Sequence, residues 1–468
     1  MDDFLREIQT SLFREWINNQ KRDYYHLHQS ETDPDAIIIE NEYCYSYVTF
    51  NPQCIIELCV MNKRTDEMAF YLHFQFKTLK HAISLFEEMD QCIKKMVDQP
   101  ICRLLLCCSG GMTTAFFADK IKNGIKVLNL NMEVAATSYQ KIYNVAQNYD
   151  VILLAPQVSY VKLQVEKVFK NKLVLKIPTQ IFASYNVGAL ITFVEESLKH
   201  KENKYNGYVE PLASMMEIKT NKNVLAVSIN ANGEYSHISY RLYNSHQDIV
   251  LDSNIIKSNI KLQDVLDALD TVVLQNEMID VISIALPGVM VEGNVYSGII
   301  EGGNHQLKER LEKRYEKEIY LINDVNAAVV GYYASQNEYK SLAFLFQPIG
   351  RMAGSGIVVN GQLVRGMDHL AGEVALLPLN LSDAYLTLAN TPEGTLELVT
   401  KNIMSIIAIV APEAIVGYSD LILDSQDVSD EIKKALSQYP LKVYPQIIKV
   451  ENILEYILLG AMILSAKE

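Results

Sequence analysis

What the 468-residue sequence lacks narrows it first. No stretch reaches the roughly 18 consecutive apolar residues that a membrane helix requires. The opening MDDFLREIQT is acidic and amphipathic, so no secretory signal is expected there. Cysteine is scarce, seven in all, unevenly spaced and including an adjacent pair, which excludes a disulfide framework and points to a reducing cytoplasm. Positive charge is in deficit: 42 Lys and Arg against 56 Asp and Glu leave a net −14, which argues against a general nucleic-acid surface, and no small basic module stands out. What is abundant is core material, 49% hydrophobic with 21% charged residues, the composition of a folded globular chain. The length suggests roughly two to four domains.

Three blocks follow from the patterning. Residues 1–98 open with an amphipathic helix (Phe4, Ile8, Leu12, Phe13, Trp16). The β-rich stretches AIIIENEYCYSYVTF, QCIIELCVM and MAFYLHFQF follow, and KHAISLFEEMDQCIKKM closes the block as a helix. This is a small α+β domain without helix-turn-helix spacing, and its function is not legible. Residues 99–204 alternate strand and helix: ICRLLLCC, TTAFFADKIKNG, VLNLNMEVA, SYQKIYNVAQNY, VILLAPQV, KLQVEKVFK, LVLKIPT and ASYNVGALITFVEESLKHK. That rhythm predicts a parallel sheet covered on both faces. The polar stretch HKENKYNGY reads as a linker. Residues 205–468 mix strand-turn-strand openings with helices, as in VLAVSINANGEYSHISYRLY, and predict two α/β lobes with a cleft between them.

The stretch LLCCSGGMTT ends the first strand of the second block. In open α/β sheets, ligand chemistry sits at the carboxyl ends of strands. Loop N–H groups, a helix N-terminus and the hydroxyls of Ser109, Thr113 and Thr114 can converge on one anion, and the same field favours a cysteine thiolate. Spacing alone leaves open two buried strand-end thiols beside a tight turn.

This block, over about 101–198, resembles enzyme IIB of the lactose/cellobiose type in the bacterial phosphotransferase system. The resemblance rests on Cys108-Ser109-Gly110-Gly111-Met112-Thr113-Thr114 and on Leu154, Ala155, Pro156, Gln157 and Tyr160 at the expected separation. It implies that Cys108 takes a phosphoryl group from a histidine of an enzyme IIA-type donor. Ser109, Gly110, Gly111, Met112, Thr113 and Thr114 would form the phosphate cradle. Cys107 has no implied role beyond a small buried hydrophobe.

In the third block, LINDVNAAVVG holds a carboxylate, Asp324, that can act as general base toward a hydroxyl, although an Asn-Asp pair also suits a helix cap. From about 223 to 468 the segments ALPG, LINDVNAA, GSGIVVNGQLVRG and AGE resemble the ROK family of sugar kinases and sugar-sensing repressors. The implied fold is a two-lobed, actin-like kinase. The implied sugar contacts are Asn304, Asn323, Asp324, Glu373 and Glu397, with Asp324 as catalytic base.

The departures from that family are concentrated on the nucleotide side. The first phosphate loop, Asp-x-Gly-Gly-Thr, is Ser228-Ile229-Asn230-Ala231-Asn232. The second is Gly350-Arg351-Met352-Ala353-Gly354-Ser355-Gly356, and the adenosine element is Gly417-Tyr418-Ser419-Asp420. A kinase needs a cradled triphosphate and magnesium. Leu376 stands where the family has a histidine after AGE, and NLSDAYLTLANTPEGT contains no cysteine, so no structural zinc or other metal is expected. The combined expectation is a cytoplasmic, sugar-responsive regulator linked to the phosphotransferase system. It binds a sugar or sugar phosphate, needs no cofactor, lacks ATP-dependent kinase activity and self-associates. It neither inserts into membranes nor contacts nucleic acid directly. The alternatives are an active ROK-like sugar kinase, an enzyme IIB phosphotransferase component, or a ROK-type repressor.

Overall fold

The computed structural model describes residues 3–63, 67–98, 102–109, 112–128, 130–169, 172–199, 221–232, 235–291, 294–296, 299–301, 306–422, 424–437 and 444–466. The chain divides into two compact units, Met1–Ile93 with Asn203–Glu468, and Lys94–Glu202. The stretch 200–208, expected as a linker, lies outside the described residues.

The first unit begins with α1 (Asp3–Asn18), then β1 (His26–Gln29), β2 (Ala36–Glu40), β3 (Cys44–Asn51), β4 (Ile55–Asn62), β5 (Glu67–Gln75) and α2 (Leu79–Val97). The five strands form an antiparallel meander. The β-rich stretch AIIIENEYCYSYVTF divides into two strands, because the Asn41 side chain accepts from the N–H groups of Tyr43 and Cys44 (both 2.8 Å) and turns the chain. α1 and α2 meet through aromatic rings, with Trp16 edge-on to Phe86 at 5.4 Å and Phe13 buried beside Phe76.

The second unit contains β6 (Cys102–Cys108), α3 (Met112–Val127), β7 (Met132–Ser138), α4 (Ile142–Val145), β8 (Val151–Leu154), α5 (Lys162–Val168), β9 (Leu173–Lys176), α6 (Thr179–Ser184) and α7 (Val187–Lys199). Its sheet has the order β7-β6-β8-β9, all parallel. Three elements differ from the sequence expectation: in VLNLNMEVA the strand begins only at Met132, because Val127 still belongs to α3. SYQKIYNVAQNY is a short α-turn between two 3₁₀ turns, and the last helix is broken at Tyr185, whose φ of +50° ends α6 in the left-handed region.

The first unit resumes with β10 (Val224–Asn232), β11 (Tyr235–Tyr243), β12 (Ile249–Lys257), β13 (Ile260–Lys261), α8 (Leu262–Gln275), β14 (Val281–Leu286), β15 (Val289–Val291), β16 (Asn294–Tyr296), β17 (Ile300–Glu301), α9 (Leu307–Tyr315), β18 (Glu318–Asn323) and α10 (Asp324–Ala334). It then runs through β19 (Leu342–Phe346), β20 (Gly354–Val359), β21 (Gln362–Leu363), α11 (Tyr385–Leu388), α12 (Pro392–Val410), β22 (Ala414–Tyr418), α13 (Ser425–Leu436), β23 (Gln446–Lys449) and α14 (Leu454–Ala466). A topological repeat is visible. The strand orders β12-β11-β10-β14-β18 and β21-β20-β19-β22-β23 have the same form: three antiparallel strands, then two parallel additions. Each half ends in a helix, and those two helices pack together. Gly331 of α10 and Gly460 of α14 permit the contact, since a Cβ would lie 2.0 Å from the Tyr456 carbonyl oxygen or 1.8 Å from that of Ala327, respectively. The architecture is therefore α/β with a duplicated lobe.

The N-terminal meander joins the first lobe. β5 lies beside β12, with Tyr71 opposite Ile256, so that one sheet of ten strands runs from β1 to β18. Lys77 bridges Asp267 and Asp270 of α8 at 2.6 and 2.5 Å, and Glu88 of α2 meets Lys257 at 2.5 Å. Nothing in the sequence pattern announces this junction.

Candidate functional sites

In the second unit, the parallel register brings the two sequence-separated motifs to one sheet edge. β6 is flanked by β7 and β8, and Cys108 is its last residue, opposite Ser138. The turn beginning at Pro156, which carries Gln157 and an exposed Tyr160, leaves the end of β8, and the Ala155 N–H donates to the Cys107 carbonyl at 2.8 Å. Cys108 and Cys107 are both buried, and all seven cysteines are reduced. Burial, with Cys108 adjacent, pushes the Cys107 thiol up to about 12, so Cys107 is not a thiolate at neutral pH. Ser109 is exposed, and Met112, Thr113 and Thr114 open α3, at the end where a helix leaves its first N–H groups without partners inside the helix. Gly110 and Gly111 lie outside the described residues, as do the side chains of the three residues that follow.

In the duplicated lobes, β10, β14 and β18 run parallel, with Ser228 opposite Ala285 and the strand ends Leu286 and Asn323 opposite each other. Asn323 caps α10 by accepting from the N–H groups of Val325 and Asn326 (3.1 and 3.0 Å), and its amide donates to the Gly288 carbonyl at 3.2 Å. Asp324 is buried and accepts from the Val325 N–H at 2.9 Å. Burial, partly offset by that donor and reinforced by the negative charge of Glu373, raises its carboxyl to about 7. Burial raises the Glu373 carboxyl as well.

The second glycine-rich segment delivers Glu373 to this place. Gly354 and Gly356 lie against the first turn of α10, where a Cβ on Gly356 would sit 2.4 Å from the Val325 carbonyl oxygen. Between them, the N–H and hydroxyl of Ser355 both donate to the Gly372 carbonyl at 2.9 and 3.0 Å. Gly372 has φ of +92° and no room for a side chain, since a Cβ would lie 2.0 Å from the Ser355 carbonyl oxygen. Those glycines are thus explained by helix and strand packing, without reference to phosphate.

Glu397 is tied differently. Both its oxygens are taken, one by the Ser382 N–H (2.9 Å) and Lys401 (2.7 Å), the other by the Ser382 hydroxyl. Burial works against its charge, but these donors outweigh it and hold the carboxyl below the usual range. The structure thus brings together Asn323, Asp324 and Glu373, and engages Glu397 with Ser382 and Lys401. Asn304 lies outside the described residues. Among the described residues no group of three or more His, Cys, Asp or Glu is placed to hold a metal ion. No described helix is long and apolar enough to cross a membrane.

The segments expected on the nucleotide side make hydrogen bonds of their own, although the buried Asn230 Oδ1 has no partner. At the first loop, Asn230 is buried and its amide donates to the Ser228 hydroxyl at 3.3 Å. His237, directly opposite in β11, is buried with its imidazole pushed down to about 4 by burial, hence neutral at pH 7. At the second loop the Gly350 N–H donates to the Ala389 carbonyl (2.9 Å) and the Ala353 N–H to the Tyr385 hydroxyl (3.1 Å). The Tyr385 hydroxyl in turn donates to Gln347 (2.8 Å), whose amide holds the carbonyls of Pro348 and Arg351. Sequence reasoning missed this Gln347–Tyr385 bracket, because its members lie 38 positions apart and neither stands in a recognisable motif. Beneath the third element, an apolar cavity of about 30 Å³ is lined by Leu345, Val399, Ile403, Tyr418, Ile422 and Val428.

The four-stranded parallel unit ends a strand in a cysteine, and the duplicated α/β unit pairs two carboxylates. The chain carries a domain of the family "PTS system, Lactose/Cellobiose specific IIB subunit" at residues 103–192 and a ROK family domain at residues 233–395. A curated relative named "Putative xylose repressor", from Caldicellulosiruptor sp. (strain Rt8B.4), is 26% identical over 197 residues, covering 38% of this chain and 47% of its own. The chain thus spans about half the length of the curated relative it matches. Among solved structures, the ROK hexokinase from Thermus thermophilus is similar at 16% identity and TM-score 0.41, covering 52% of this chain and 99% of that one. The lactose-specific IIB component domain from Streptococcus pneumoniae is similar at 21% identity and TM-score 0.19, covering 20% of this chain and 95% of that one.

Proposed function

We propose that this protein is a cytoplasmic, sugar-responsive regulator coupled to the phosphotransferase system, with a phosphorylatable cysteine and a sugar cleft that does not use ATP. The observation that carries the second half is the contrast within one unit. Asn323, Asp324 and Glu373 are gathered, while the Gly350 and Ala353 N–H groups of the second phosphate loop are already used by Ala389 and Tyr385. A triphosphate needs such backbone donors free. A sugar needs only the carboxylates and amides.

In the IIB-like unit, Cys108 is the acceptor. Its thiolate attacks the phosphorus of a phosphohistidine on an enzyme IIA-type donor. The S–P bond forms, the P–N bond breaks, and the released imidazole takes up a proton. The loop from Ser109 to Thr114 and the N-terminus of α3 neutralise the phosphoryl charge. Intact mass after incubation with phosphoenolpyruvate, the general phosphotransferase proteins and a lactose/cellobiose-type IIA tests this half. One phosphate on the native chain and none on Cys108→Ser is expected. Absence of the adduct, with a donor that labels an authentic IIB, overturns it. For the cleft, calorimetric sugar binding without sugar-dependent ADP release is expected; turnover across a hexose panel would make the protein a kinase.

The relative's name raises a repressor reading. Residues 1–98 offer five antiparallel strands between two helices and no helix-turn-helix among the described residues. Self-association belongs to the proposal and is read by sedimentation.

A further inference from the structure

The loop that presents Glu373 has an unusual composition for a water-facing segment. Met367 is 78% exposed and Leu376 73%, with Leu370 also exposed between them. Scattered exposed apolar side chains are ordinary, but three on ten consecutive residues form a patch. Their placement is fixed on both sides. The Glu373 N–H donates to the Leu370 carbonyl and the Leu376 N–H to the Glu373 carbonyl, so the two leucines flank the carboxylate on successive turns. The 3₁₀ turn Met367–His369 lies against β15. β15 directly follows Gly288, whose carbonyl is held by Asn323. The segment that carries these apolar side chains is thus tied, through β15 and Gly288, to Asn323 and, through its own backbone, to Glu373.

The charge of that wall is the second observation. Neither Asp324 nor Glu373 has a cationic partner within ion-pair distance among the described residues, whereas most buried acids of this unit do: Asp264 has Lys257, Asp267 has Lys77 and Glu455 has Arg241. With no cation beside either carboxyl, nothing at Asp324 or Glu373 balances the charge of a ligand that brings its own negative group.

We infer that the cleft takes a neutral glycoside, its sugar ring on Asn323, Asp324 and Glu373 and an apolar aglycone on Met367, Leu370 and Leu376, in preference to a sugar phosphate. This rests on the proposed reading of the cleft as a sugar site and narrows its ligand to one class. The hydroxyls suit carboxylates and amides as hydrogen-bond acceptors and donors. A phenyl or alkyl aglycone removes the exposed methionine and leucines from water.

The test is calorimetric titration of the full chain with methyl and phenyl β-D-glucosides and β-D-galactosides and with their 6-phosphates. The phenyl glycoside of the accepted sugar is expected to bind at least tenfold tighter than the methyl glycoside, the gain from covering about 60 Å² of apolar surface. Its 6-phosphate is expected to bind at least tenfold more weakly than the neutral compound. Met367→Ser with Leu376→Ser should cost the phenyl glycoside at least fivefold more affinity than the methyl one. Methyl glycoside binding with no phenyl advantage, or a 6-phosphate preferred over the neutral compound, overturns the inference and leaves the sugar site standing. No binding by any compound overturns both. If the double variant instead changes the sedimentation coefficient and leaves the phenyl-to-methyl ratio intact, the patch is covered by a second copy of the chain and the inference fails.

Discussion

Asp324→Asn is expected to stabilise the protein at high pH and to do nothing at low pH. The native carboxyl is raised from 3.8 to about 7, by burial first and by Glu373 in addition. A group whose folded pKa lies above its unfolded value binds protons more tightly when folded. Its contribution is therefore most favourable below the unfolded value near 4, and is lost as pH rises through the folded value near 7. At ~1.4 kcal/mol per pH unit, that displacement sets a ceiling of roughly 4 kcal/mol on the penalty carried by the ionised carboxylate at pH 8. Asparagine keeps the shape and the acceptor for the Val325 N–H, and it removes the charge. Equilibrium urea unfolding at pH 5, 6, 7 and 8 measures the difference. The only tryptophan, Trp16, reports this unit and no other. The gap between the variant and native curves should widen from pH 5 to pH 7 and change little from pH 7 to pH 8, with the variant the more stable. A gap that does not change with pH, or a variant less stable at pH 8, would refute the reasoning that Asp324 is ionised against its environment.

Three other outcomes follow from the same structure. Tyr385→Phe removes the hydroxyl that accepts from the Ala353 N–H and donates to Gln347; a loss of about 1–3 kcal/mol is expected, with faster amide exchange confined to residues 348–353. Gly331→Ala forces a Cβ into the Tyr456 carbonyl at 2.0 Å, so a thermal midpoint lowered by several degrees is expected, whereas Gly188→Ala, with space for a methyl group, should be nearly neutral. In Lys77→Met, Asp267 and Asp270 lose a shared cation. Burial pushes both carboxyls up, and Lys77 with His81 at one and Arg314 at the other outweighs it and holds them low. That stability is present above the unfolded carboxylate value and vanishes as pH falls through the folded one, so the cost should be about 2–3 kcal/mol at pH 7 and shrink below pH 4 in urea unfolding.

Much of this was legible because two periodicities and two loops carry it. The alternation from Cys102 to Lys199 requires a parallel sheet, and that sheet places Cys108 at a strand end before a small-residue loop. LINDVNAA was equally readable, since Asn323 caps a helix and Asp324 begins it. Broken helices were not: Tyr185 in a left-handed conformation, in place of glycine, is set by tertiary packing rather than propensity. Glu397 shows a different limit. The sequence singles it out as a sugar contact, yet the carboxylate answers to Ser382 and Lys401, partners that only the fold could bring into reach. The Tyr71–Ile256 pairing is of the same kind, because an edge strand carries no signal naming its neighbour.

That pairing has a consequence in time. The two partners are separated by the whole of the second unit, so during synthesis the open side of β5 leaves the ribosome 185 residues before its mate. At about 5–20 residues per second the exposed edge waits roughly 10 to 40 s, much longer than a hairpin takes to form. Over that interval the nascent meander presents Phe70, Leu72 and Phe74 on a strand paired along one side alone. Such an edge readily pairs with another chain. Yield should therefore respond to how fast residues 94–256 are translated, through codon choice or temperature, with no change in the finished protein.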